Sequence, residues 1–162
     1  MEDIIEIKAV IIKDHYEEVA EMMHQLHIHE HSLFDKTAAW ADIQESYMRH
    51  VIHTQETSDG TCLVAYVNGR PAGFILGNIE EQDDSRIEIY KGKELYVSDG
   101  YVDREYRGQG IYHKLNEELE RIYIAKGVKR ICRHTLINNT SARRFLERQG
   151  YMVTRLLYEK WL

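Results

Sequence analysis

Apolar and polar positions alternate along this chain in two different rhythms. Ile4 to Ile12 is β-branched and alternates around Glu6 and Lys8, which predicts a strand, and Asp14 then offers an N-cap to a helix. Val19, Met22, Met23 and Leu26 recur at helical spacing, and Trp40, Ile43, Tyr47 and Val51 do so again after Asp35-Lys36. Cys62 to Val67 and Ala72 to Ile79 are apolar runs flanking Asn68-Gly69-Arg70-Pro71, the turn chemistry of a hairpin. The acidic run 80–84 reads as a solvated loop. Glu94 to Val97 then leads into Tyr101-Val102, a strand whose interior Gly100 predicts a bulge or a close approach.

Beyond it, Ile111, Leu115, Leu119 and Ile122 fall on one helical face, with Glu117 and Arg121 paired on the wet side and Gly127 closing the helix. Ile131 to Leu136 reads as a short strand. Asn139 caps a further helix with Ala142, Phe145 and Leu146 inward, Gly150 ends it, and Tyr151 to Leu162 reads as a last strand. The order is β-α-α-β-β-β-α-β-α-β, without repeats or a linker, so residues 1–162 form one domain.

Composition narrows the class. The 162 residues are 43% hydrophobic and 30% charged, which fits a globular domain and excludes disordered and collagen-like chains. No apolar run approaches the roughly 20 residues that span a bilayer. The acidic start, Met1-Glu2-Asp3-Ile4, is unlike a secretory signal, so a cytoplasmic protein is expected. Cys62 and Cys132 lie far apart and read as small buried hydrophobes rather than a disulfide, a redox pair or a zinc site. The net charge of −6 argues against nucleic acid as a partner. That charge is uneven: residues 1–103 carry a net −13 and residues 104–148 a net +6, the pattern of two dissimilar ligands meeting on one domain.

The stretch richest in chemistry is Val102-Asp103-Arg104-Glu105-Tyr106-Arg107-Gly108-Gln109-Gly110-Ile111-Tyr112. A strand, a glycine-containing turn and a helix start aim free backbone N–H groups and a positive dipole end at an anion, and Arg104 and Arg107 add charge. It is a phosphate cradle, but not a P-loop, which needs GxxxxGK[ST]. Nor is it a dinucleotide fingerprint, because His113 stands where a third glycine is required.

Arg107-x-x-Gly110 after Val102, followed by a helix, a short strand, Asn139-x-x-Ala142 and Gly150-Tyr151, resembles the GNAT superfamily of acyl-CoA-dependent N-acyltransferases. The resemblance spans the element order of nearly the whole chain. It implies an α+β, three-layer α/β/α domain with a mixed, mostly antiparallel sheet. It further implies that Arg107, Gly108, Gln109, Gly110, Ile111 and Tyr112 hold the pyrophosphate of acetyl-CoA, that the backbone at Tyr101 and Val102 pairs with the pantetheine arm, and that Asn139 meets that arm from the other side. The implied activity is N-acetyl transfer to an amine. Three positions depart from the family pattern: Tyr112 replaces a Gly or Ala, Leu146 stands where a Tyr acid is common, and Tyr96 stands where some members carry a basic Glu. Only twelve residues follow Gly150, too few for the family's two closing strands, which leaves a single strand completed by a partner subunit in a homodimer.

An alkylamine, with a pKa of about 10.4, must lose a proton before it can attack a thioester. By alternation Glu94 shares a face with Tyr96 and Ser98, making Glu94, through a water, the first candidate base, with Tyr96 beside it. A backbone N–H between Gly100 and Val102 is the candidate oxyanion donor, and Tyr112 or Tyr151 is a substitute acid for a thiolate that already leaves tolerably. No cysteine lies in the cofactor loop, which favours direct attack in a ternary complex. The acidic half of the chain points to a cationic small-molecule amine as acceptor, and the resemblance puts His29 and Glu30 beside it. His24, His27 and His31 have a spacing compatible with a metal, but read as helix-end polar residues, so no metal is expected. A catalytically weak coenzyme A-binding sensor or interaction module is the rival reading.

Overall fold

The computed structural model describes residues 2–83, 85–90 and 92–162; Asp84, in the predicted acidic loop, lies outside them. Its framework is a five-stranded sheet in the order β1 (Ile5–Val10), β2 (Thr61–Val67), β3 (Arg70–Glu81), β4 (Lys93–Val102), β5 (Ile131–Arg133). The first four strands run antiparallel and β5 joins β4 in parallel, so the sheet is mixed and mostly antiparallel. Asn68 and Gly69, at φ of 50° and 79°, turn β2 into β3 in the mirror-image geometry that suits strand twist.

Two helices, α1 (Tyr16–Leu33) and α2 (Trp40–Thr57), cover one face. Val19, Met22, Met23, Leu26, Met48 and Val51 pack there on Cys62, Val64, Phe74 and Leu76. The other face is covered by α3 (Ile111–Ala125), whose Ile111, Leu115, Leu119 and Tyr123 pack on Leu63, Ala65, Ile75, Leu95 and Val97. A last helix, α4 (Thr140–Arg148), has no fully buried residue and leans Phe145 on Tyr112. Helices therefore sandwich the sheet in three layers, each burying one apolar stripe.

Several expectations are corrected. Asp14 does not cap α1, because Ile12–His15 closes a 3-10 turn first. Gln55 of α2 holds that junction instead, accepting from Ile12 N–H at 2.9 Å and donating to the Val10 carbonyl at 2.9 Å. Arg121 pairs with Glu118 at 2.7 Å, while Glu117 faces His113 at 3.3 Å. The bulge in β4 is at Ser98, two residues before Gly100: Leu76 opposes Asp99, whereas Gly77 opposes Val97. The run from Ile131 is a strand only to Arg133. Residues 151–162 form no strand. That tail instead places Arg155 on Glu88 and the Trp161 ring under Lys36, at 5.8 Å, leaving Leu156 and Leu157 exposed.

Candidate active site at the fork between two strands

β5 pairs with β4 only from Leu95 to Val97, so residues 98–102 of β4 keep an open hydrogen-bonding edge on that side. A pocket fills the fork. Val97, Ser98, Asp99 and Gly100 line it from β4, Arg133, His134 and Thr135 from β5 and beyond, and the N-cap Asn139 with Ala142, Phe145 and Leu146 of α4, while Leu26, Glu30 and Tyr112 close it. An extended, amide-bearing ligand suits an open strand edge of this kind.

The fork leads into the predicted cradle. Asp103 accepts from the Glu105 N–H at 3.1 Å and starts a 3-10 turn at Arg104–Tyr106. Gly108 and Gly110 then take φ of 79° and 74°, values disfavoured for any residue with a Cβ, and Gly110 opens α3. The first-turn amides of α3, from Ile111 onward, have no carbonyl within the helix to bind and point outward with the positive end of its dipole. Arg107 is tethered by donating Nε–H to the Val102 carbonyl at 2.9 Å, and its guanidinium stacks 5.4 Å from the Tyr101 ring centre. Exposed Gln109 and open space around Gly108 and Gly110 leave room for a pyrophosphate at this loop. These residues fit the phosphate and pantetheine portions of coenzyme A.

On the α1 side of the fork, the Tyr96 hydroxyl lies 3.1 Å from His134 Nδ1. Asp99 sits on the same face because the Ser98 bulge resets the alternation, and its carboxylate accepts from Tyr47 of α2. Burial pushes Asp99 up, against the lowering effect of hydrogen bonds from Tyr47 and Ser98. Glu30 is also raised, by burial first and then by Asp99, and Tyr96 rises for the same two leading reasons. His29 is held low by burial first and then by the charge of Arg107, and it does not line the pocket.

Glu94 is elsewhere. It is 2% exposed, accepts from Arg130 Nη1 at 3.0 Å and from Gln82 Nε2 at 2.5 Å, and does not line the pocket. Asn139 lines the pocket while its Oδ1 caps α4 through the Ala142 N–H at 3.2 Å. The histidine-rich stretch pins the loop after α1: His24 stacks on Trp40 at 5.4 Å, His27 Nε2 meets the Ala38 carbonyl at 2.7 Å, and His31 Nδ1 meets Thr37 Oγ1 at 2.6 Å. No group of three or more His, Cys, Asp or Glu among the described residues could hold a metal ion. Among them too, no helix is long and apolar enough to cross a membrane.

Residues 20–151 match the model of the acetyltransferase (GNAT) family. The chain belongs to the GNAT acetyltransferase family. It is 30% identical over 125 residues to N-alpha-acetyltransferase 30 of Schizosaccharomyces pombe, covering 75% of this chain and 77% of that protein. A predicted acetyltransferase from Clostridium acetobutylicum solved with acetyl-CoA shares the fold at a TM-score of 0.78 and 15% identity, over 97% of this chain and 96% of that one. An aminoglycoside N-acetyltransferase solved with coenzyme A does so at 0.71 and 15%, over 99% and 97%. As a GNAT acetyltransferase this protein uses acetyl-CoA as cosubstrate. The GNAT pattern did not point to Asp99, His134 or Arg133. Asp99 is hidden by the bulge, and the other two are recognisable only from the parallel register of β5.

Proposed function

We propose that this acetyltransferase moves the acetyl group of acetyl-CoA to a cationic small-molecule primary amine by direct attack. The observation that carries the acceptor class is the Glu30–Asp99 carboxylate pair, from α1 and β4, lining the pocket at the mouth of the fork. A cation there relieves the burial and mutual repulsion of two carboxylates, which an anionic or neutral acceptor cannot do. The cofactor loop would be Arg107 to Tyr112 as expected, with Asn139 and the open β4 edge at Tyr101 and Val102 along the pantetheine arm.

The ammonium must become an amine before it attacks. With the His134 ring proton on Nε2, the Tyr96 hydroxyl donates to Nδ1, and the phenol oxygen is then free to take a proton from the bound ammonium while passing its own to the imidazole. This route replaces Glu94, whose carboxylate is engaged by Arg130. An N–H of the open β4 edge supplies the oxyanion donor. A thiol carrier is disfavoured because burial pushes Cys62 up to about 12 and raises Cys132 as well.

Free-thiol release from acetyl-CoA, measured against polyamines, amino sugars, a peptide with a free N-terminus and an anionic amine, tests the reading. Preference for a cationic small amine is expected. The N-alpha-acetyltransferase relative favours a second reading, a peptide α-amine, and a clear preference for the peptide would establish that instead. Stabilisation by coenzyme A with no thiol release from any of them would make the protein a sensor. With a working acceptor, Tyr96→Phe and His134→Ala should each lower kcat by about 10²-fold and flatten its acidic limb; an unchanged pH profile in both would remove the relay.

A further inference from the structure

Arg133 ends β5 and His134 follows it, and their contacts show the two side chains on opposite sides of the sheet where β5 parts from β4. His134 meets Tyr96 on the α1 side. Arg133 meets Tyr112 on the α3 side, donating Nη2–H to the phenol oxygen. We propose that Tyr112 is the proton donor to the sulfur of coenzyme A as the acetyl group departs, with Arg133 as its positioning residue.

Tyr112 stands where the family pattern has a Gly or Ala, and the fork makes room for it. A Cβ at Gly100 would lie 2.7 Å from the Tyr112 hydroxyl, so the phenol reaches the open edge of β4 only because residue 100 is glycine. Its ring packs edge-on to Phe145, centroids 5.0 Å apart, and the hydroxyl is bracketed by Gly100 on one strand and Arg133 on the other. Arg133 is fixed in turn: Nη1 donates to Asn116 Oδ1 at 2.9 Å, and Asn116, 1% exposed, donates to Glu120 at 2.8 Å. The guanidinium also lies 5.7 and 5.8 Å from the ring centres of Tyr112 and Tyr151.

Guanidinium has donors and no acceptor, so it takes a lone pair of the phenol oxygen and leaves the hydroxyl proton to point elsewhere, into the pocket that Tyr112 lines. The α4 residues on that wall, Ala142, Phe145 and Leu146, have no proton to give. In the step itself the amine nitrogen forms its bond to the carbonyl carbon and the C–S bond breaks. Sulfur keeps the electron pair and takes the Tyr112 proton, the fixed cation of Arg133 stabilises the phenolate left behind, and the proton released from the ammonium returns to the phenolate through solvent. The fork would thus carry a proton acceptor pair on one face and a donor pair on the other.

The inference rests on acetyl transfer but not on which amine accepts, and its first measurement needs no acceptor. The thiolate absorbance of coenzyme A bound to the protein is titrated with pH for the unaltered chain, Tyr112→Phe and Arg133→Gln, with Glu30, Asp99 and His134 constant throughout. Bound to the unaltered protein, the thiol should ionise at lower pH than free coenzyme A. Tyr112→Phe, which keeps the packing on Gly100 and Phe145, should return it to the free value, and Arg133→Gln should move it part of the way. With a working acceptor, Tyr112→Phe should also lower kcat at least about tenfold, with the KM of the amine unchanged. Identical thiol titrations in the unaltered and Tyr112→Phe proteins overturn the proposal, whatever happens to kcat, and so does a shifted titration with kcat intact. Failure to find an acceptor would instead touch the acceptor class, since the titration reads the sulfur alone.

Discussion

Asp99 shows how one residue's placement bears on stability and on the proposed chemistry. Its carboxylate is pushed up by burial and held by Tyr47, so ionising it in the folded protein costs free energy that the unfolded chain does not pay. A raised folded pKa means that this group's favourable contribution is complete below the ordinary Asp value of about 3.9 and is lost as pH rises through the folded value. Keeping this carboxyl buried therefore costs the fold more as pH rises, a cost that a bound cation would offset under the proposed function. Asp99→Asn still accepts from Tyr47 but carries no charge. Its Tm should match or exceed that of the unaltered protein at pH 7, with the gap closing toward pH 4, while kcat/KM for a cationic amine falls about tenfold or more. Thermal melts at the two pH values and steady-state rates check both halves; a lower Tm at pH 7 would mean that the carboxylate is structural.

At the scale of elements, what was legible in the sequence is what local chemistry dictates. The cradle at 103–111 needs two residues with positive φ and a helix start, and Gly108, Gly110 and Ile111 declare these within a few positions. The hairpin at Asn68-Gly69 and the cap at Asn139 are equally local. The placement of Asp99 on β4 was not legible, because strict alternation from Glu94 and Tyr96 continues through Ser98 and sends Asp99 to the wrong side. The bulge that reverses this is written in the register with β3, a partner separated by a long loop. The same non-local pairing decides Glu94, which polarity alone presents as a base and which Arg130, just before β5, holds as a buried ion pair. Removing one member of such a pair strands the other, so Glu94→Ala should cost about 3 kcal/mol in denaturant unfolding. The milder Glu94→Gln should leave the pH dependence of kcat unmoved, and a lost acidic limb in that variant would return Glu94 to the mechanism.

Across the whole molecule the charge is unevenly divided along the chain. The helices α1 and α2 belong to the net −13 segment, whereas the positive charge of the net +6 segment sits in residues 126–133 and α4, α3 itself being net −1. Under the proposed acceptor class, an acidic α1–α2 side and a basic 126–148 segment would draw the two ligands by different approaches. Both fields are screened by salt, since the Debye length falls from about 30 Å at 0.01 M to about 8 Å at 0.15 M. With acetyl-CoA saturating, raising salt over that range should therefore raise the KM of a polycationic acceptor several-fold and leave kcat nearly constant, because the steered step is encounter and the chemistry occurs in the screened-off pocket. A monoamine of the same length should show a smaller rise, in proportion to its charge. Equal sensitivity for the two acceptors would mean that the acidic layer acts through Glu30 and Asp99 alone and that the long-range field does not steer the amine.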